Sequence, residues 1–263
     1  MTPSAEHEAP ILEFDSAPTA VIEPAMIYDP VPDMPTMAVM SWMRDAVQRC
    51  YSEYAATEVG RFTAETLDIP ICRVEVDDTA IVLVEAPVGA PVSVGVLEMM
   101  IAMGVRSVVA VGSSGGLTPQ HSRGTVVVPD GAIRDEGTSY HYVHPSQRVA
   151  HQDAAMQAWL VSALSAADFS TATGLLWTTD ALFRETRKRV ADRVDEGALA
   201  VDMEASALAA VAKFRDIEIG QAVYIADTLF GDEWDGDGLI NPDADFRYRL
   251  LTTVLRAAAS RHA

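Results

Sequence analysis

Two short stretches place carboxyl groups beside apolar residues, where an acid can take part in chemistry. Asp202 and Glu204 flank Met203 at the start of an apolar helix, and Asp227 ends an apolar strand. A carboxylate among apolar neighbours needs hydrogen-bond donors, and sugar hydroxyl groups are such donors for Glu204. Burial at a strand end would raise the pKa of Asp227 and suit it to protonating a leaving group. The structural alternatives are a helix N-cap at Asp202 and a loop cap at Asp227.

A third candidate is a strand that ends in small residues. Residues 110–117 read AVGSSGGL, so Ser113, Ser114 and Gly115 follow an apolar run directly. Where side chains are small, backbone N–H groups and a hydroxyl can approach an anion or a sugar closely, at the strand end where open α/β sheets bind ligands. A plain tight turn has the same composition, so both interpretations stay open on this stretch alone.

The hydrophobic periodicity predicts the elements that must position these residues. Strands that are apolar throughout alternate with amphipathic or apolar helices, which indicates a sheet covered on both faces. We expect a single α/β domain with three α/β/α layers and a mixed, twisted central sheet. An irregular arm with the first strand is expected in residues 1–35, which hold seven prolines, and the catalytic domain in residues 36–263. Helices are predicted over 36–58, 92–103, 150–166, 184–196, 203–214 and 243–261, and strands over 71–76, 79–85, 107–111, 124–128, 172–177 and 219–226.

The charge and cysteine content exclude several classes of function. The chain has 38 Asp and Glu against 19 Lys and Arg, a formal net charge of −19, which would repel a phosphodiester backbone and anionic lipids. We therefore expect no nucleic-acid partner and no membrane partner. Two cysteines, Cys50 and Cys72, are too few for a disulfide framework, and no secretory leader is visible. We expect a cytoplasmic protein.

Four stretches together resemble the nucleoside phosphorylase superfamily, in particular the branch of purine and uridine phosphorylases. They read AVGSSGGL at 110–117, AIRDEGTSYHY at 132–142, TTDALFRET at 178–186 and AVDMEASAL at 200–208, and Asp227 follows at the separation that purine-acting members show. The conjunction in this order is more specific than any single stretch. The resemblance covers about residues 70–235. It implies the superfamily's fold and cleavage of the bond between a ribose-type sugar and a nucleobase.

On the sugar side, the resemblance implies roles for three residues. Ser113 matches a hydroxyl residue near the phosphate and the sugar, and Met203 matches the residue that packs under the sugar. Glu204 matches the carboxylate that binds the ribose hydroxyls. Because bond cleavage develops positive charge on the sugar, a carboxylate there would stabilise the transition state. Glu204 is therefore expected to be both a binding and a catalytic residue.

On the base side, the resemblance implies roles for four residues. The backbone at Ser114 and Gly115 matches the edge of the base pocket, and Phe183 matches the aromatic residue that stacks on the base. Asp227 matches the acid that protonates a purine leaving group, on which negative charge develops. Asp227 favours a purine, whereas the branch as a whole includes uridine phosphorylases, so purine and pyrimidine substrates both stay open.

The sequence departs from the superfamily pattern where members hold phosphate. FDSAP at 14–18 replaces a Gly-Asp-Pro-x-Arg segment, Ala110 stands where an arginine precedes the glycine turn, and APVGAP at 86–91 replaces a Gly-Met-Gly-x-Pro segment. A phosphate dianion needs charge-assisted partners such as a bidentate arginine. Arg44 and Arg134 are the replacements that the sequence offers.

Three functions are consistent with these features. The first is a phosphorylase that yields base and sugar 1-phosphate, with phosphate as co-substrate and no cofactor or metal, because the stretches at 132–142 and 178–186 look closest to phosphorylases. The second is a nucleosidase that uses water. The third is a non-enzymatic binder of nucleosides or of calcium, since EWDGDGLI at 233–240 partly matches an EF-hand loop, although Ala244 stands where a glutamate should close it. The resemblance also implies a homo-oligomer, hexamer or dimer.

Overall fold

The strands and helices are taken from a computed structural model, which describes residues 9–231 and 233–262. In these residues the chain forms one mixed sheet whose strands are β1 Met37–Ser41, β2 Thr57–Ala64, β3 Leu67–Val76, β4 Thr79–Glu85, β5 Ser107–Gly116, β6 Val126–Val127, β7 Gly131–Asp135, β8 Val149–His151, β9 Thr171–Ala172, β10 Leu175–Thr179, β11 Ala198–Asp202 and β12 Glu218–Thr228. The helices are α1 Arg44–Glu53, α2 Ala90–Met103, α3 Ala154–Ala166, α4 Arg187–Asp195, α5 Ala205–Arg215, α6 Asp237–Ile240 and α7 Ala244–His262. Across the described ranges, none of these helices combines the length and apolarity needed to cross a bilayer.

Helices cover both faces of the sheet, because the side chains of each strand alternate between the faces. On β1, Met37 and Val39 lie in a core shared with α1, α3 and α7. Ala38 and Met40 lie in a second core, shared with α2 and α5. β2, β3 and β4 are antiparallel neighbours, whereas β4, β1 and β5 run parallel. The predicted three-layer α/β/α domain with a mixed sheet is confirmed.

The sheet divides at β5, the long central strand. The first half of β5 lies between β1 and β12, and both neighbours are parallel to it. Beyond the end of β1, β11 takes its place and runs antiparallel, with Val201 opposite Gly115 and Ala200 opposite Gly116. On the other side, Asp227 of β12 pairs with Gly115. This register brings the C-terminal parts of three strands together.

The hairpin predicted from two short β-branched runs is confirmed. β3 and β4 pair in antiparallel orientation, and Val76 lies opposite Thr79 at the turn. The turn residues Asp77 and Asp78 have φ angles of 47° and 63°. This left-handed region is the one a two-residue hairpin turn requires, and aspartate adopts it more readily than most residues do.

The helix predicted over 36–58 is wrong at both ends. Residues 37–41 form strand β1, which is buried between β4 and β5, and residue 57 begins the edge strand β2. Only Arg44–Glu53 is helical. A strand buried on both faces is apolar at every position, so its residues also satisfy the three-and-four spacing of a helix. Pairing with the two neighbouring strands decides the conformation.

Other elements differ from the predictions in extent. The strand predicted over 172–177 is two strands, β9 and β10, interrupted before Leu175. α3 begins at Ala154 rather than near residue 150, because Val149–His151 pairs with β7. Strands β2, β7, β8 and β11 were not predicted. They are short or carry polar residues, so their pairing partners, rather than a local pattern, determine them.

The arm before β1 contains two short 3-10 helices in its described part, Pro10–Leu12 and Pro24–Met26. Each begins with proline, which fits the first helical position because its missing N–H would have no partner there. Residues 9–35 include no strand, so the first strand that we predicted within residues 1–35 begins instead at Met37. Residues 1–8 of the predicted arm lie outside the described residues.

Candidate active site

A cavity of about 210 Å³ lies at the end of β5, where the sheet divides. This is the carboxyl end of a central parallel strand, the place where open α/β sheets bind ligands. Of the residues that the sequence placed in a site, the structure brings six to the cavity wall: Ser113, Ser114, Gly115, Met203, Glu204 and Asp227. Phe183 is the exception.

Two glycines allow the strands to meet at this cavity. A Cβ atom on Gly115 would lie 2.5 Å from Leu229 Cδ1 and 3.1 Å from Val201 Cγ1. One on Gly116 would lie 2.9 Å from Ile225 Cγ2. Carbon atoms in contact normally lie about 3.5–4.0 Å apart. Any larger residue would therefore force the side chains of Leu229, Val201 or Ile225 to shift.

The two serines of β5 take different positions, because side chains alternate along a strand. Ser113 has an exposed side chain that lines the cavity, so its hydroxyl can meet a ligand. Ser114 is buried, and its hydroxyl donates to the carbonyl oxygen of Tyr224 at 3.2 Å. Ser114 therefore holds β5 against β12 with its side chain and can offer only its backbone to a ligand.

The side chain of Asp202 has a structural role. Its buried carboxylate accepts hydrogen bonds from the backbone N–H groups of Ala205 at 2.7 Å and Glu204 at 3.2 Å, which caps α5. The hydroxyl of Thr178 donates to it at 2.7 Å. Burial raises the pKa of Asp202, although these hydrogen bonds oppose the shift. The N-cap residue of α5 is Glu204 rather than Asp202 as the sequence suggested, but the carboxylate of Asp202 binds the first N–H of the helix and so fixes the position of Glu204.

Glu204 is the carboxyl group that the fold leaves available to a ligand. It is 8% exposed, and its Oε1 accepts a hydrogen bond from the N–H of Gly89 at 2.6 Å. Among the described residues, no side chain donates a hydrogen bond to it. Burial, and then the neighbouring charge of Asp202, raise the pKa of Glu204. Hydroxyl donors from a ligand would stabilise its charged form.

Gly89 is a site residue that the sequence analysis missed. Its φ of 103° lies in a region that residues with a Cβ rarely adopt, and it is the N-cap of α2. This conformation presents its N–H to Glu204. The available signal was the altered glycine segment at 86–91, which was noted only as a departure from the superfamily pattern.

Asp227 is buried and is held by an indole ring. The Nε1–H of Trp234 donates to Asp227 Oδ2 at 2.7 Å. Burial raises the pKa of Asp227, and the hydrogen bond from Trp234 opposes that shift in part. A raised pKa favours the protonated form that a general acid needs. Trp234 was another residue that the sequence analysis did not single out, because it lies within an acidic loop.

Glu185 is a further carboxyl group at this site that was not predicted. It is half-buried on the cavity wall. Burial, and then the charge of Asp227, raise its pKa to about 7. Two acids this close repel one another when both are charged, so one of them tends to keep its proton. Glu185 lies in the stretch at 178–186 that carried the resemblance, but it was assigned no role there, because a glutamate just before a charged helix looks like part of a solvated face.

The family of this chain follows from comparison with known proteins. Residues 36–258 match the family model described as the phosphorylase superfamily. The match covers most of the chain. The chain belongs to the phosphorylase superfamily. This confirms the resemblance that the four sequence stretches indicated.

Individual relatives of this phosphorylase-superfamily protein are distant. It is 28% identical over 160 residues to the guanosine phosphorylase of Halorubrum lacusprofundi, which covers 60% of this chain and 65% of that protein. It is 38% identical over 65 residues to the uridine phosphorylase of Treponema pallidum, 25% of each chain. The matches thus span less than two thirds of these relatives' lengths. The crystal structure of AMP nucleosidase from Bacteroides thetaiotaomicron has the same fold, with a TM-score of 0.69 and 20% identity over 90% of this chain and 91% of that one.

In this member of the phosphorylase superfamily, Phe183 does not line the cavity. Its side chain is 95% exposed, within the 3-10 helix Leu182–Arg184. Leu182, the first residue of this helix, and Glu185, which directly follows it, line the cavity instead. Phe183 faces a neighbouring groove. Phe183 therefore lies outside this cavity in the single chain, and its stacking on the base stays a prediction.

Neither arginine proposed for phosphate reaches the cavity of this superfamily member. Arg44 is exposed and pairs with Glu85 at 2.6 Å. Phe14, of the FDSAP segment, packs edge-on against His144 at 5.4 Å, away from the cavity wall. Among the described residues, the cavity wall contains no Lys, Arg or His. The guanidinium of Arg134 is buried and bound within the fold, since it donates to the hydroxyl of Ser139 and to the carbonyl oxygens of Val143, His144 and Gln147.

The acidic loop at 233–240 does not gather its carboxylates around an ion. Asp237 Oδ2 lies 2.9 Å from Arg123 Nη1, and Asp235 Oδ1 lies 3.7 Å from the same atom. Within the two described ranges, no three His, Cys, Asp or Glu side chains are grouped so that they could hold a metal. The partial EF-hand match therefore gains no support from the structure.

The cap on α5 can be tested with Asp202→Ala. The variant leaves two backbone N–H groups and the hydroxyl of Thr178 without their acceptor, so we expect the free energy of unfolding to fall by about 1–3 kcal/mol. Asp153→Ala is the matched control, because Asp153 caps α3 with one hydrogen bond to Met156 N, at 2.9 Å, outside the cavity. Chemical denaturation measures both. Equal stability of Asp202→Ala and the unmodified protein would contradict the capping role.

The raised pKa of Glu185 predicts a pH-dependent loss of stability. Because the folded-state pKa is about 7 and the ordinary value is 4.5, the folded protein holds this proton more tightly than the unfolded chain does. Stability therefore falls as the pH rises from about 4.5 to 7. Glu185→Gln should match the unmodified protein at pH 5 and be more stable at pH 8, by about 1 kcal/mol once solvent screening is allowed for. Thermal unfolding at both pH values measures this difference. Glu65→Gln, in the exposed turn after β2, should show no such divergence, and parallel pH profiles for Glu185→Gln would disprove the assignment.

Proposed function

We propose that this protein cleaves the N-glycosidic bond of a nucleoside and that water is the acceptor of the sugar. Family membership supports the class of reaction. The choice of acceptor rests on one observation, the charge of the cavity wall. Glu185, Asp202, Glu204 and Asp227 contribute carboxyl groups, whereas no Lys, Arg or His of the described residues lines the cavity. The proposal requires no cofactor.

Glu204 and Asp227 divide the charges that bond cleavage creates. The anomeric carbon becomes electron-poor as the bond to the base breaks, and the carboxylate of Glu204, bound to the sugar hydroxyls, would stabilise that charge. The electron pair of the breaking bond goes to the base nitrogen. Asp227, whose pKa is raised by burial, would be the acid that gives a proton to the base. Ser113, exposed in the cavity, would bind the sugar with its hydroxyl, and Met203 would pack against it.

Water fits the acceptor position better than phosphate does. Phosphate carries up to two negative charges at neutral pH, and these would be repelled by the acids of the wall without a cation to offset them. Water adds through its oxygen to the anomeric carbon as the bond to the base breaks, and it gives up one proton. The products are the free base and the free sugar. A carboxylate of the wall can accept the proton that water releases.

Phosphorolysis is the second candidate, and the names of the relatives favour it. The stretches that align are shared with proteins named guanosine phosphorylase and uridine phosphorylase. Phosphorolysis here would require a cation that the described wall of this cavity lacks, such as an arginine of a neighbouring subunit. We propose a homo-oligomer, as the resemblance implies, and the choice between dimer and hexamer can be read from the mass in solution. Turnover of purine and pyrimidine nucleosides, compared side by side, will show which class of base the protein accepts.

The acceptor can be tested by product analysis. Purified protein is incubated with a panel of purine and pyrimidine nucleosides, with and without inorganic phosphate, and the sugar product is identified. We expect free sugar at the same rate in both conditions. Release of sugar 1-phosphate that depends on added phosphate would replace hydrolysis by phosphorolysis. Absence of turnover on every nucleoside, with ligand binding retained, would favour a binding protein.

The role of Glu204 can be tested with Glu204→Gln. The substitution keeps the shape but removes the charge that would stabilise the electron-poor sugar, so we expect kcat to fall by about 100-fold or more, which corresponds to about 2.7 kcal/mol. The melting temperature should not fall, since no cation pairs with Glu204 in the described structure. Glu98→Gln is the matched control: Glu98 is also 8% exposed, but it pairs with Arg215 away from the cavity. A fully active Glu204→Gln variant would remove the sugar-binding role.

A further inference from the structure

A second cavity of about 620 Å³ adjoins the first, and we call it the base-side annex. It shares Asp227, Leu229 and Leu239 with the cavity already described, as well as Leu182 and Glu185. Its remaining apolar walls are Phe183, Val190 and Trp234. Asp227, the residue proposed to protonate the base, lines both cavities. The annex therefore begins on the side of the first cavity where the base would bind.

The annex is apolar and open. Phe183 is 95% exposed, Trp234 is 55% exposed and Leu239 is 48% exposed. Such a cluster of exposed apolar side chains around one groove marks a binding surface, since removing it from water is favourable. The charged and polar groups around it are mostly engaged: Thr186 caps α4 through Arg189 N, and Arg187 donates to the carbonyl oxygen of Gly231.

The walls of the annex are fixed by the fold. Val190 of α4 is buried in a core cluster with Trp177 of β10, so this helix is anchored to the sheet. Trp234 is held by its hydrogen bond to Asp227 and by the bridge that pairs Thr228 with Asp235. An occupant of the annex would therefore contact the same indole that binds the proposed general acid.

We propose that the annex binds an apolar alkyl or aryl substituent on the leaving base, so that the substrates are base-substituted nucleosides. This inference rests on the proposed function, because it takes Asp227 to mark the base. A plain base fits against Asp227 and Leu229 and leaves the walls formed by Phe183 and Trp234 in water. A substituent that continues past Asp227 covers both side chains. Since it adds apolar contact without adding charge, it would improve binding of the base.

Two measurements with defined probes test the annex. The first compares kcat/KM for adenosine and N6-benzyladenosine, and we expect at least a tenfold preference for the benzylated nucleoside. The second compares the affinities of adenine and N6-benzyladenine by calorimetry, which requires no turnover, and we expect the same order. Equal or weaker binding of the benzylated base would overturn the proposal that the annex binds a substituent on the base. Tighter binding without cleavage of either nucleoside would support the annex and count against the proposed function.

Variants separate the annex from a subunit contact. Phe183→Ala should reduce the preference for the benzylated probes, relative to adenosine and adenine, at least fivefold. Val21→Ala, an equally exposed apolar residue of the arm, should not change that preference. If Phe183→Ala dissociates an oligomer while the preference stays the same, a second copy of the chain covers this surface and the proposal is wrong.

Discussion

The candidate site depends on one close approach, at Gly115 and Gly116, where β5 is flanked by β11 and β12. With no Cβ on these residues, side chains of both neighbouring strands come within contact distance of the β5 backbone. The register that results places Asp227 opposite Gly115 on one side. On the other side it ends β11 at Asp202, whose carboxylate caps α5 and so positions Glu204. Two carboxyl groups far apart in the chain thus reach one cavity through backbone pairing.

The same arrangement concentrates acids in a partly dry space, at a cost in stability. Burial raises the pKa values of Asp202, Glu204, Asp227 and Glu185, and repulsion among the acids adds to the shifts at Glu204 and Glu185. Only Asp202 has the hydrogen bonds of a structural group. The carboxyl groups of Glu204, Asp227 and Glu185 have fewer structural hydrogen bonds than Asp202, which is typical of groups that serve a ligand rather than the fold. A sugar with its hydroxyl donors and a base with its acceptor nitrogen complement these two kinds of acid.

The sequence correctly predicts the features that depend on the conformational preferences of neighbouring residues. The Asp77-Asp78 turn and the apolar strands each follow from the conformational preferences of a few residues. It missed what depends on distant partners. Strand β1 was mistaken for helix because burial on both faces removes the alternation of polar and apolar residues. Gly89, Glu185 and Trp234 lie in stretches that the sequence analysis noted, but their roles come from contacts with Glu204 or Asp227, which local sequence does not show. Phe183 was placed by resemblance alone, and in the single chain it faces the annex.

The central claim is that the carboxyl group of Glu204 has a raised pKa in the free protein and binds the hydroxyl groups of the sugar. Titration calorimetry with a C-nucleoside, in which a carbon–carbon bond prevents cleavage, measures it directly when carried out near pH 7 in buffers of different ionisation enthalpy. Hydroxyl donors stabilise the charged form, so binding should lower the pKa of Glu204 and release up to one proton, and Glu204→Gln should abolish that release. Binding without proton release, or with the same release in Glu204→Gln, would contradict the account.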